Sequence, residues 1–287
     1  MNTQLECLPC ALGSTLRLVR TDIVPPHMRV QLMRRISAFL AEADYSLSPP
    51  ALGREIHRLI RAELGNPDPY REIKAHFNGL MLDHEAGFRE LLTSSSDPFD
   101  TAMRLAIGGN VIDFGARYQF DVMETIRGAL DVELALDDSP SLREALEAAR
   151  SLLYIGDNCG EIVMDKLFLG QMAVPERRFV VRGGPIINDV TIGDALAIGI
   201  DELAEIVTTG DDSPGVVWEN SSEDFRRQFH RADVVISKGQ GNFEGLMDVA
   251  HPNLYFLLMT KCDLVAASIG TEKGSYVVKK GKSAEDV

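Results

Sequence analysis

Three observations predict an α/β fold, with a mostly parallel sheet in a three-layer α/β/α arrangement and an N-terminal helical subdomain. The first half carries apolar residues at spacings of three and four; the second alternates short apolar runs with amphipathic stretches; and four of those runs end in loops carrying acids, glycines or lysines. In open α/β sheets ligands bind beyond the carboxyl ends of the strands, so function is expected in those loops.

Helices are expected from His27 to Ala43, Ala51 to Leu64, Pro69 to Leu92 and Phe99 to Ala106, separated by SLSPP at Ser46 to Pro50 and GNPDP at Gly65 to Pro69. A further helix is expected from Ser139 to Arg150, after which strands and helices alternate. The chain divides into residues 1–145, a helical bundle, and residues 146–287, an α/β metal- and phosphate-binding domain, with the helices closing one side of a cleft.

The first strand of the second part is Leu152 to Ile155, a continuous apolar run of the kind buried in a parallel sheet, followed by a helix from Glu161 to Leu169. Between them lies GDNCGE, which puts Asp157 and Asn158 at a strand end beside a helix N-terminus. Asp and Asn before Gly are also ordinary turn and cap residues. A second apolar run, Phe179 to Val181, leads through Arg182, Gly183, Gly184 and Pro185 to Asn188 and Asp189, which taken alone read first as caps of the helix through Asp194 and second as site residues.

Val234 to Ile236 leads into SKGQGNFE, where Lys238 stands beside Gly239 and Gly241, glycines that let a backbone approach an anion. The fourth run, Leu254 to Met259, ends in TKCD and brings Lys261 to a strand end. Two acids, an amide and two lysines form the inventory that a hard divalent cation and a phosphoryl group would jointly require. The combination is more specific than any member of it.

These segments, GDNCGE, NDVT at Asn188 to Thr191, SKGQGNFE and TKCD, resemble the metal-dependent damage-control phosphatases, formerly a family of unknown function and also linked to acidic-residue methyltransferases. CLPC at Cys7 to Cys10, DPYREIK at Asp68 to Lys74 and GNVIDFG at Gly109 to Gly115 resemble the smaller microbial branch of that family. The resemblance implies that Asp157, Asn158 and Asp189 ligate a divalent metal, one of Mn²⁺, Mg²⁺, Ni²⁺ or Co²⁺. It implies that Lys238 and Lys261 grip phosphate, with Gly239 and Asn242 in the same substrate-binding set. Asn110 and Asp113 would reach the rim of the site from the helical half, or brace a helix junction. Asp157, Asp189 and Lys261 are the implied catalytic residues, and the implied reaction is hydrolysis of small phosphorylated metabolites such as sugar phosphates. The attacking group is either a water whose pKa the cation lowers or one of the two aspartates.

Composition is consistent with that class. A net charge of −14 argues against a general nucleic-acid binder, while 45% hydrophobic residues over 287 allow a large core. No apolar run approaches the ~20 residues of a membrane span, and the N-terminus lacks a signal-peptide pattern, so a cytoplasmic enzyme is expected. Four cysteines are too few for a disulfide scaffold, and the six histidines show no metal-ligand pairing at helical spacing. Cys7 and Cys10 read as structural thiols or as a redox or auxiliary metal pair. Two rivals remain from other classes: a methyltransferase using S-adenosylmethionine, and a non-catalytic phosphometabolite sensor.

Overall fold

The computed structural model describes residues 1–109 and 122–283. Asn110 and Asp113 lie outside the described residues.

The chain opens with helices α1 (Cys7–Val19), α2 (Arg29–Glu42) and α3 (Pro49–Leu64). Prolines open α3, where the missing N–H costs nothing, and Gly65 closes it at φ 60°. Leu18, Leu32, Ile36, Leu52, Ile56 and Ile60 form a core of their own among these three helices.

α4 (Arg71–Asp83) and α5 (Glu85–Ser94) replace the single helix expected from Pro69 to Leu92. The chain turns at His84, where the His84 N–H reaches back three residues to the Met81 carbonyl. The break lets Phe77 and Met81 on one helix and Phe88 and Leu92 on the other enter one core. Then come α6 (Pro98–Gly108), capped by Asp97 accepting from the Asp100 N–H at 3.1 Å, and α7 (Val122–Leu130).

The sheet takes in a strand earlier than expected, β1 (Leu134–Asp137), ahead of α8 (Ser139–Ala148). The following strands are β2 (Ser151–Ile155), β3 (Glu176–Val181), β4 (Glu205–Thr208), β5 (Val234–Lys238), β6 (Leu254–Met259) and β7 (Tyr276–Lys280). Between them run α9 (Ile162–Leu169), α10 (Ile192–Ile198), α11 (Glu223–Arg231), α12 (Gln240–Leu246) and α13 (Asp263–Ile269). The strand order is β1-β7-β6-β5-β2-β3-β4, parallel throughout except for the β6–β7 pair.

Alternation along each strand builds the layers. Leu152, Tyr154, Phe179, Val234, Ile236, Tyr255 and Leu257 face one core with residues of α4, α5, α6 and α9, whereas Leu153, Ile155, Val180, Val235 and Phe256 face the other with residues of α11, α12 and α13. The first of these cores draws residues from both sides of position 145, so the helical half shares a core with the sheet. No helix among the described residues is long and apolar enough to cross a membrane.

Candidate active site at the carboxyl ends of the strands

Backbone hydrogen bonds join the loops after β2 and β3. Gly156 N–H donates to the Val180 carbonyl at 3.0 Å, Cys159 N–H to Asn188 at 2.8 Å, and Val190 N–H to Asp157 at 3.0 Å. Asn158 and Asp189 form an isolated antiparallel bridge. This pairing brings Asp157, Asn158 and Asp189 together from positions about thirty residues apart in sequence. Ile187, a β-branched residue at φ 41°, sits in the left-handed region just before Asn188. Such a backbone costs on the order of 1–3 kcal/mol and concentrates where a loop must hold a particular side-chain placement.

Among the described residues, the polar contacts of Asn158 and Asp189 each leave one oxygen uncommitted. Asn158 Nδ2 donates to Asp157 Oδ2 at 2.8 Å and to Glu161 Oε2 at 3.2 Å, which leaves Oδ1 as its acceptor. Asp189 Oδ2 accepts from Arg182 Nε at 2.6 Å and from the Gly215 N–H at 3.1 Å, which leaves Oδ1. Asp157 Oδ1 lies 3.6 Å from Arg182 Nη2. Burial pushes the Asp189 carboxyl up to about 6, with Arg182 opposing the rise and Asp157 adding to it.

The donor set suits a hard divalent cation, because it offers two carboxylates and an amide oxygen from two loops held in register. Among the described residues no group of three or more His, Cys, Asp and Glu could hold a metal, so an expected site must draw on the Asn158 amide. Burial first, then Asp194, raises the Cys159 thiol far above the usual range, and oxygen ligands suit a hard cation better than this sulfur.

Lys238 departs from its expected role. Its ammonium, 1% exposed, donates to the Ala106 carbonyl at 2.6 Å, Asp165 Oδ1 at 2.6 Å and Glu161 Oε1 at 3.2 Å. All three donors are spent inside the protein, so none faces a phosphoryl group. Tyr154 also donates its hydroxyl to Asp165 Oδ1, at 2.7 Å. Burial alone would depress the ammonium, but Asp165 and Glu161 outweigh it and hold Lys238 charged. Glu161 is pushed up to about 7 by burial, against the pull of Lys238. The lysine thus braces Glu161, which in turn holds the Asn158 amide.

Gly239 has φ 79°, and a Cβ there would fall 1.9 Å from Asp157 Oδ2. The glycine therefore admits the Asp157 carboxylate and not only a ligand. Asn242 is buried, with Nδ2 donating to the Lys238 carbonyl at 2.6 Å and the Gly156 carbonyl at 3.1 Å, which ties the β5 loop to the β2 loop. Lys261 is exposed, and its backbone N–H donates to Gln240 Oε1 at 2.6 Å, next to Gly239. Among the described residues its ammonium has no ion-pair partner.

Sequence reasoning missed Arg182, Glu161 and Asp165 as participants. A signal for two of them exists: Glu161, just before α9, and Asp165 within it lie four residues apart, so they share one side of a mostly apolar segment, and a buried acid pair there demands a cation.

The family described as the damage-control phosphatase ARMT1-like domain matches residues 3–277. A damage-control phosphatase of Pyrococcus horikoshii is 33% identical, over 98% of this chain and 99% of that one. A damage-control phosphatase of Archaeoglobus fulgidus is 32% identical over 95% and 97%. An uncharacterized protein of Methanocaldococcus jannaschii is 35% identical over 96% and 94%. Among solved structures, a protein of the DUF89 family from Pyrococcus horikoshii superposes with a TM-score of 0.90 at 32% identity, covering 98% of this chain and 100% of that one.

Proposed function

Because the chain belongs to the damage-control phosphatase ARMT1-like domain family, we propose that it is a metal-dependent phosphatase of the cytoplasm that hydrolyses small phosphorylated metabolites such as sugar phosphates. The observation that carries the metal dependence is the convergence of Asp157, Asn158 and Asp189 through the Asn158–Asp189 bridge.

In this proposal Asp157, Asn158 and Asp189 would hold the divalent cation. When bound, the cation supplies Lewis-acid charge that polarises a phosphoryl oxygen and favours deprotonation of water. Glu161 fixes the Asn158 amide with Nδ2 turned inward, and Gly215 N–H and Arg182 fix one oxygen of Asp189, so the ligand atoms are oriented in advance. Lys261 offsets charge on the phosphoryl oxygens from the exposed side of the same edge. With Asp157 and Asp189 assigned as ligands, neither carboxylate is the attacking group of this proposal. Solvent water is therefore the nucleophile.

Phosphate release from a panel of sugar phosphates, with and without Mn²⁺, Mg²⁺, Co²⁺ or Ni²⁺, tests the reading. Release that needs a cation and vanishes in Asp157→Ala supports it. Tight S-adenosylmethionine binding with no release on any substrate would replace it with the methyltransferase alternative.

A further inference from the structure

The expected phosphate lysine Lys238 is spent on internal partners, which leaves the exposed Lys261 as the one cation so far assigned to the phosphoryl group. Arg182 follows β3 directly and emerges between the loops that carry Asp157 and Asp189. Its backbone is pinned: the N–H donates to the Val190 carbonyl at 2.9 Å, and at the next residue, Gly183, a Cβ would stand 2.6 Å from the Gly210 backbone. The side chain is 1% exposed. Among the described residues only Nε makes a hydrogen bond, to Asp189; Nη2 stands 3.6 Å from Asp157 Oδ1, an ion pair beyond hydrogen-bond reach, and Nη1 and Nη2 are both buried with no acceptor among those residues.

Buried guanidinium donors left unpaired are costly and uncommon, and an open Nη1/Nη2 fork matches two oxygens of a phosphate. Among the described residues, the cations that α3 and α4 bring near these loops are already engaged. Lys74 pairs with Asp68 and Asp194, Arg54 and Arg58 with Asp211, and Arg58 and Arg61 with Asp212. Resting on the metal-phosphatase reading, we propose that Arg182 receives the phosphoryl oxygens of the substrate through Nη1 and Nη2, while its Nε keeps Asp189 in place. The fork is enclosed, and the Asp157 carboxylate beside it is 8% exposed. Enclosure strengthens the charge contact once it forms.

Wild type, Arg182→Lys and Arg182→Gln are compared by Mn²⁺ titration without phosphate, by calorimetric binding of inorganic phosphate at saturating Mn²⁺, and by thermal unfolding. The expected result is a folded Arg182→Lys with Mn²⁺ affinity within about threefold of wild type and phosphate affinity at least tenfold weaker, the loss of a bidentate fork. Weakened Mn²⁺ binding with unchanged phosphate affinity at saturation would overturn the proposal, since Arg182 would then only space the carboxylates. Wild-type protein that binds Mn²⁺ but no phosphate overturns it as well. Phosphate binding that depends on Arg182 in a protein without turnover supports the anion site and defeats the phosphatase reading. Should neither variant fold, a wild-type crystal with Mg²⁺ and tungstate decides: anion oxygens within hydrogen-bond reach of Nη1 or Nη2 support the assignment, and an anion bound elsewhere contradicts it.

Discussion

Lys238 Nζ and Asp165 Oδ1 meet at 2.6 Å where the two side chains are 1% and 0% exposed. Removing one partner of such a pair leaves an uncompensated buried charge, which costs about 3–5 kcal/mol. Lys238→Met is therefore expected to lower the urea unfolding free energy by that order, because Glu161 and Asp165 both lose their counter-charge. A variant of full stability whose only defect is a raised KM would return Lys238 to the phosphate.

Gly239→Ala tests the close approach to Asp157. The new methyl group would start 1.9 Å from Oδ2 at a backbone φ of 79°, so the carboxylate must shift. The expected outcome is at least a tenfold loss of divalent-cation affinity in a titration, with secondary structure intact by circular dichroism. Unchanged affinity would mean that Asp157 is not a ligand.

Lys261 offers a cleaner substitution, because its side chain is exposed and the backbone contact to Gln240 does not depend on it. Lys261→Met should raise KM for a phosphorylated substrate roughly tenfold, about 1.4 kcal/mol, with a thermal midpoint like that of wild type. Equal KM values would remove the lysine from the substrate contact.

Glu244 predicts a pH dependence of stability. Burial pushes its carboxyl up from 4.5 to about 7, against the opposing hydrogen bond from Gln240. A carboxyl with a raised folded-state pKa favours folding while protonated, so its contribution is complete below pH 4.5 and is lost as pH rises through about 7. Between those limits the loss is on the order of 2–3 kcal/mol. Glu244→Gln keeps an acceptor for Gln240 and removes the titration. Denaturant unfolding at pH 5 and pH 8 should show the wild type losing more stability than the variant across that interval; parallel losses would contradict the assignment.

The strand-end loops were legible because local signals coincide there. Leu152 to Ile155 and Leu254 to Met259 are apolar runs long enough to declare buried strands, and GDNCGE and TKCD follow them directly. β1 was not legible: its four residues alternate half-buried and exposed at a sheet edge, a pattern too short to separate from a loop. The role of Lys238 was hidden for a different reason. A lysine between a strand and two glycines looks like a phosphate contact, but its partners Glu161 and Asp165 lie 77 and 73 residues away, and only the packing of α9 on the sheet brings them to it. Arg182 was read past as part of a turn because its carboxylate partners stand on two separate loops.

The most direct measurement is anomalous diffraction at the manganese edge from crystals grown with Mn²⁺. A single strong peak within about 2.0–2.4 Å of oxygens from Asp157, Asn158 and Asp189, absent in Asp189→Asn crystals, is the predicted result. A peak coordinated by other residues, or none beside these three at saturating Mn²⁺, would contradict the proposed centre.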